Sequence, residues 1–252
     1  MPALVSILTP VVTVQPGAEG TAEVRIRNSG NVVDQFALNL VGQAGAWARC
    51  DPAVISLLPE AEETVRIHFS PPRSSAVAAG LIPYGVRVTC QEDRDFSVVE
   101  EGSVQVSGFS SIEGRVVPRT SEGKRTANHR LEVTNTGNAV VDADLSASDP
   151  DELLAIDVDP DHLSIEPGAT AMAKVKVVAV KGPSRSPRRI PFQVEVEAGG
   201  APVQLEAAFE QSGKSSSWLV FVAIAVVAAV LVLLVRDQAS GLTLTWALNL
   251  LR

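Results

Sequence analysis

Seven residues recur, altered but recognisable, 107 positions apart, and that recurrence decides what this chain can fold into. Arg25-Ile26-Arg27-Asn28-Ser29-Gly30-Asn31 returns as Glu132-Val133-Thr134-Asn135-Thr136-Gly137-Asn138. Farther along, Asp51-Pro52 and Leu58-Pro59 return as Asp159-Pro160 and Glu166-Pro167, while Pro83, Val86 and Val88 return as Pro191, Val194 and Val196, an offset of 108. Landmarks kept in order over that distance mean one unit of about 105 residues built twice. The 252 residues therefore divide into residues 1–108, residues 109–213 and a remainder. In each copy the Asn-x-Gly-Asn follows a strand pattern, and a turn with positive φ is expected there, since Gly and Asn enter it at least steric cost.

The unit itself reads as β structure. Val24 and Ile26 alternate with Glu23, Arg25 and Arg27; Phe36, Leu38 and Leu40 alternate with Gln35, Ala37 and Asn39; Val65, Ile67 and Phe69 alternate with Thr64, Arg66 and His68. Period two is the signature of a strand with one buried face. Pro16-Gly17, Asn28 to Asn31 and Leu58-Pro59-Glu60 punctuate these runs at the spacing of an all-β sandwich. No long amphipathic helix is written before residue 214.

The remainder has a different chemistry. From Trp218 to Val235, 18 consecutive residues carry no charged or hydrogen-bonding side chain except the Trp218 indole. As a helix at about 1.5 Å per residue such a run is ~27 Å long, close to the ~30 Å hydrocarbon layer of a bilayer. The expectation is a transmembrane α-helix over 218–235, after a polar linker 214–217 and before a short tail 236–252. Trp218, Arg236 and Trp246 are its expected interface residues. In the tail, Leu242, Leu244, Trp246, Leu248 and Leu250 alternate with polar or small residues, which defines no helical face and points to an interfacial or strand-adding segment. Met1 to Pro10 has no basic start, no sustained apolar stretch and no small-residue cleavage site, so the expected topology keeps the N-terminal units cytoplasmic.

These residues carry a resemblance. Val14-Gln15-Pro16-Gly17, Val24 to Gly30, Asp34-Gln35-Phe36, Trp47 ahead of Pro52, Leu58-Pro59, and Pro71-Pro72 leading to Gly80 and Pro83-Tyr84 resemble the bacterial and archaeal immunoglobulin-like domains found beside α-galactosidases and in repeat-bearing membrane proteins. The resemblance covers most of residues 4–106 and, more weakly, 112–209. The second copy departs from it, with Ala155 where Trp47 stood and Val180-Lys181-Gly182-Pro183 through Pro191-Phe192 replacing the Pro-Pro-to-Tyr stretch. It implies two tandem immunoglobulin-like β-sandwiches serving as spacer, adhesion or sugar-adjacent modules.

Chemistry is sparse. With 21 basic against 29 acidic residues the formal charge is −8, which excludes a general nucleic-acid binder because neutralising phosphates needs a basic face. His68, His129 and His162 are the three histidines, and no Gly-x-Ser-x-Gly elbow or glycine-rich phosphate loop occurs. No catalytic residue, cofactor or metal is expected. Asp149, Asp151, Glu152, Asp157, Asp159 and Asp161 invite a calcium reading, yet His162 and Gly168 stand where an EF-hand loop needs Gly and Glu, so a solvated acidic loop is the better reading. Cys50 and Cys90 both lie in the first copy, and a cytoplasmic placement implies free thiols.

Two clusters remain as candidate contacts. Lys181, Arg185, Arg188 and Arg189 fall within nine residues, close in sequence to the apolar run, and suit anionic headgroups at roughly 1 kcal/mol per basic residue. Trp47 and Tyr84 are candidate contacts for a protein partner. The resulting expectation is a non-enzymatic, single-pass membrane protein whose two modules form a scaffold or docking platform. An envelope-facing carbohydrate or cell-wall module is the alternative, and a hydrolase-associated protein is the third.

Overall fold

The computed structural model describes residues 3–93, 95–183, 186–213, 224–229 and 231. In the first unit the strands are β1 (Ala3–Ile7), β2 (Val11–Val14), β3 (Gly20–Asn28), β4 (Asp34–Val41), β5 (Ala48–Asp51), β6 (Val54–Leu57), β7 (Glu62–Phe69), β8 (Gly80–Cys90) and β9 (Ser97–Val106), with a 3-10 turn at Gln43–Trp47. The second unit has β10 (Ile112–Val117), β11 (Thr120–Gly123), β12 (Thr126–Asn135), β13 (Val141–Ser148), β14 (Leu154–Asp159), β15 (His162–Ile165), β16 (Thr170–Ala179), β17 (Arg188–Glu197) and β18 (Val203–Gln211).

Each unit is a sandwich of a four-stranded and a five-stranded sheet. The first stacks β1-β3-β7-β5 on β2-β9-β8-β4-β6; the second stacks β10-β12-β16-β14 on β11-β18-β17-β13-β15. Strand for strand the two orders are the same, so the sequence repeat is a repeat of topology. In each unit the chain passes repeatedly between the two sheets, and two of these crossings link edge strands directly: β1 to β2 and β5 to β6, then β10 to β11 and β14 to β15. A proline stands at each of these edge-to-edge crossings (Pro10, Pro52, Pro118, Pro160), where a missing N–H costs no ladder bond. The sheet edges are consequently short, with strands of four to six residues at both ends of all four sheets.

Two cores result, one per sandwich. Val24, Ile26, Phe36, Val65, Ile67, Phe69, Val86 and Val88 close the first, while Leu131, Val175, Ile190, Phe192, Val194 and Phe209 close the second. The alternating apolar residues expected on β3, β4 and β7 are those that point inward.

The Asn-x-Gly-Asn turns work differently from expectation. Among the described residues positive φ occurs at Gly17, Gly42, Gly80, Gly168, Gly199, Glu60 and Glu152, and not at Gly30 or Gly137. It is the first asparagine that makes the turn. The Asn28 amide donates to the Val32 and Leu57 carbonyls at 2.8 and 3.0 Å while its Oδ1 accepts the Gly30 N–H at 2.8 Å. Asn135 repeats this with Ala139, Ile165 and Gly137 at 2.8, 2.9 and 2.9 Å. Glycine at 137 answers a close approach instead: a Cβ there would lie 2.4 Å from the Phe109 carbonyl oxygen.

The second asparagine has been put to separate use. Asn138 is buried, and its Oδ1 accepts the Phe109 N–H at 2.8 Å while its amide donates to Val77 O and Ser107 O, each at 3.2 Å. Its carbonyl accepts the Ala79 N–H, and the Arg73 guanidinium carbon lies 4.2 Å from the Phe109 ring centroid. One side chain thus ties the first sandwich's β7–β8 loop and the inter-unit segment to the second sandwich. Its counterpart Asn31 is exposed.

The expected transmembrane helix over 218–235 lies mostly outside the described residues, as do the linker 214–217, the tail 236–252 and the interface residues Trp218, Arg236 and Trp246. Residues 224–229 and 231 are helical. Among the described residues no helix is long and apolar enough to cross a membrane.

Candidate functional site

Where the chain leaves the second sandwich, backbone and side-chain bonds collect basic groups that are far apart in sequence. Gln211 ends β18, and its amide donates to Lys124 O and to Lys181 O, both at 3.0 Å. The first carbonyl belongs to the β11–β12 turn, the second to the β16–β17 loop. Arg188 lies directly across from Gln211, and Arg189 across from Glu210. The Ala179 N–H donates to Arg125 O at 2.8 Å, which fixes the turn against the end of β16. Lys124, Arg125, Lys181, Arg188 and Arg189 therefore share one end of the sandwich, beside the exit toward residue 214. Lys124 and Arg125 escaped the sequence reading because 57 positions separate Lys124 from Lys181 and only Gln211 joins them. Arg185 lies outside the described residues.

Acidic groups occupy the same region. Val180 donates to Leu153 O at 2.9 Å, which brings the loop of Asp149, Asp151 and Glu152 alongside. The Asp149 carboxylate is committed to that loop, accepting the N–H groups of Asp151, Leu153 and Leu154 at 3.0, 2.7 and 2.9 Å. Asp157 and Asp159 instead point outward from β14, opposite Lys176 and Lys174. Among the described residues no three His, Cys, Asp or Glu side chains gather as metal ligands would. On the outward face of β17 and β18, Arg189 lines a cleft of about 280 Å3 with Arg119, Pro191 and Glu206, and Arg119 pairs with Glu206 at 3.6 Å.

The aromatic pair expected to meet a partner is placed otherwise. Tyr84 is 2 % exposed, its ring edge-on to Phe69 at 4.9 Å and seated over Gly102, where a Cβ would lie 2.6 Å from the phenol oxygen. Trp47 is half-buried and packs on the same Phe69 at 6.1 Å. Tyr84 is thus a core residue and Trp47 a flank of that core. An odd-numbered β8 position would have pointed out; Tyr84 is even and points in.

The outward face of that sheet is the surface the sequence reading missed. Leu81, Val99, Val54 and Val11 are 60, 42, 47 and 53 % exposed on its outer side. Val41 and Val99 close over Gly85, where a Cβ would meet them at 2.9 and 2.8 Å. Among the outward positions of these five strands only Arg87 and Glu101 are charged. The equivalent face of the second sandwich is acidic: Asp144 lies across from Glu197, with Asp142 and Glu195 nearby. The His162 Nδ1–H donates to Asp144 Oδ1 at 2.8 Å, and that bond, with Asp142 and Asp161 close by, raises its pKa.

The remaining titratable groups sit in structural roles. His68 contacts the Glu19 carboxylate, whose pKa that hydrogen bond lowers. Cys50 and Cys90 are free, and burial pushes their thiols up to about 11 and about 12.

No protein-family model and no curated protein matches the sequence. The expected α-galactosidase-associated type is therefore not shown. Among solved structures the chain is similar to the D00–D0 domains of intimin at 9 % identity, covering 82 % of this chain and 98 % of that one, with a TM-score of 0.40. It is similar to a protein of unknown function from Porphyromonas gingivalis W83 at 15 % identity, covering 83 and 100 %, with a TM-score of 0.34. It is also similar to the Salmonella enterica SafA pilin in complex with the SafB chaperone at 10 % identity, covering 80 and 95 %, with a TM-score of 0.31. These are likenesses of sandwich architecture, and no residue role passes from them to this chain.

Proposed function

We infer that the chain is a non-catalytic, membrane-tethered docking protein with its two sandwiches on the cytoplasmic side. The observation that carries this reading is the collection of Lys124, Arg125, Lys181, Arg188 and Arg189 around Gln211, a few residues ahead of the 18-residue apolar run. That end is built to lie against an anionic headgroup layer once the run is in the bilayer. The outward face of the β2-β9-β8-β4-β6 sheet supports the docking role, since apolar side chains with little charge are what a protein partner buries.

Protease accessibility and carbonate extraction of the full chain test the tether and its sidedness together. Membrane retention at alkaline pH, with residues 1–213 cut in inverted vesicles but shielded in intact cells, is the expected result. Extraction into the supernatant removes the tether, and cleavage in intact cells reverses the topology. A photo-crosslinking residue at Val99 is expected to capture protein in cells where one at Asp144 does not.

A further inference from the structure

His129 holds an edge strand in place, and nothing in the docking role uses it. It sits on the inward side of β12 at 2 % exposure, edge-on to Phe192 with ring centroids 5.0 Å apart. Its Nδ1 lies 2.6 Å from the Pro118 carbonyl oxygen and its Nε2 lies 2.8 Å from Ser121 Oγ. A carbonyl only accepts, so the proton is on Nδ1, and Nε2 accepts the Ser121 hydroxyl. Both partners come from one segment, the corner after β10 and the four-residue edge strand β11. The imidazole is thus the peg on which the edge hangs. In the first sandwich the strand registers put Val12 and Ala22 in these places, both apolar and buried.

We propose that this bridge is an acid-operated latch: protonation of His129 lifts β11 off the edge of β18 while the rest of the second sandwich stays folded. A second proton on the ring would put a charge in the core and turn the Nε2 acceptor into a donor aimed at Ser121. The elements packed against the ring offer that charge no relief, since Ser121, Pro118, Phe192 and the cross-strand Val175 are all neutral. Arg130, Lys174 and Asp159 line a surface hollow beside the ring from outward-facing positions, and Arg119 and Glu122, which flank Pro118 and Ser121, are exposed. Burial accordingly pushes the His129 pKa below its ordinary 6.5, against a smaller upward pull from Pro118. As pH falls through the range in which a solvated histidine charges, the states that wet the ring gain protons and population. Lifting β11 is the least costly way to wet it. β12 is paired with β16 over nine residues and with β10 over six, whereas β11 is joined only to β18 over four. Short edges of this kind open locally before the domain does.

Amide protection factors of the full chain in neutral detergent micelles, followed from pH 7.5 to 5.5, test the latch. The expected result is a several-fold fall at Thr120 to Gly123, bounded at about tenfold by the single proton the open state takes up over that range, with unchanged protection on β12 and on β2 of the first sandwich. The double variant S121V/H129A, which installs the first sandwich's pair, keeps β11 protected across that range. A ring titration of His129 by NMR gives the independent readout, with a midpoint below the ordinary 6.5 in the intact chain. Equal acid sensitivity of β11 and β2, persistence of the effect in the double variant, or a His129 midpoint at or above 6.5 each overturns the latch.

Discussion

Tyr84 shows how much one position along a strand decides. Its hydroxyl is buried among the described residues without a hydrogen-bond partner, and burial, with the Cys50 thiol close by, pushes its pKa to about 12. A hydroxyl desolvated without compensation costs about 1–3 kcal/mol. Tyr84→Phe is therefore expected to leave the fold unchanged and raise the stability of the first sandwich by up to about 1 kcal/mol, measured by chemical denaturation. Sequence reasoning named this ring a candidate partner contact with a core position as its alternative, and nothing in the run Gly80 to Gly85 reports that Gly102 on the neighbouring strand leaves room for it. Asn28 and Asn135 were legible as turn residues, but their mechanism was not. The turn is closed by side-chain amides reaching backbone carbonyls, which composition alone does not distinguish from a positive-φ turn.

Elements were read unevenly, for physical reasons. The alternation on β3, β4 and β7 was visible because each has one buried face. The switching strands were not, since period two is the same whichever sheet a strand joins, and β2 and β11 are only four residues long. The Asn138 turn between β12 and β13 makes the divergence of the copies measurable. Replacing Asn138 with Ala strands the Phe109 N–H and the Val77 and Ser107 carbonyls, at about 1–3 kcal/mol. Small-angle scattering of the variant is expected to show a broadened spread of inter-sandwich distances. Asn31→Ala, with its side chain exposed, is expected to change stability by less than about 0.5 kcal/mol.

At the scale of the whole molecule, the charge of −8 conceals a division of labour. Residues 1–108 hold 7 basic and 12 acidic side chains, residues 109–213 hold 11 and 16, and residues 214–252 hold 3 and 1. Basic groups nonetheless gather where the chain leaves the second sandwich, while acids spread over the β11-β18-β17-β13-β15 face. In nanodiscs of anionic lipid, amides of the Lys124–Arg125 turn and around Lys181 and Arg188 are expected to be protected relative to zwitterionic discs. Replacing Lys124, Arg125, Lys181, Arg188 and Arg189 by Ser is expected to erase that difference, as is high salt, because the attraction works over about a Debye length.

The eight short border strands carry a consequence for life at high local density. A protein confined to a surface meets its neighbours far more often than one in solution, and long flat β edges would turn such meetings into intermolecular sheets. Here every border offers four to six residues beside a proline-marked crossing, too little to template a growing stack. Crowded copies of these sandwiches are expected to stay separate at their borders, which sedimentation of residues 1–213 at high concentration checks.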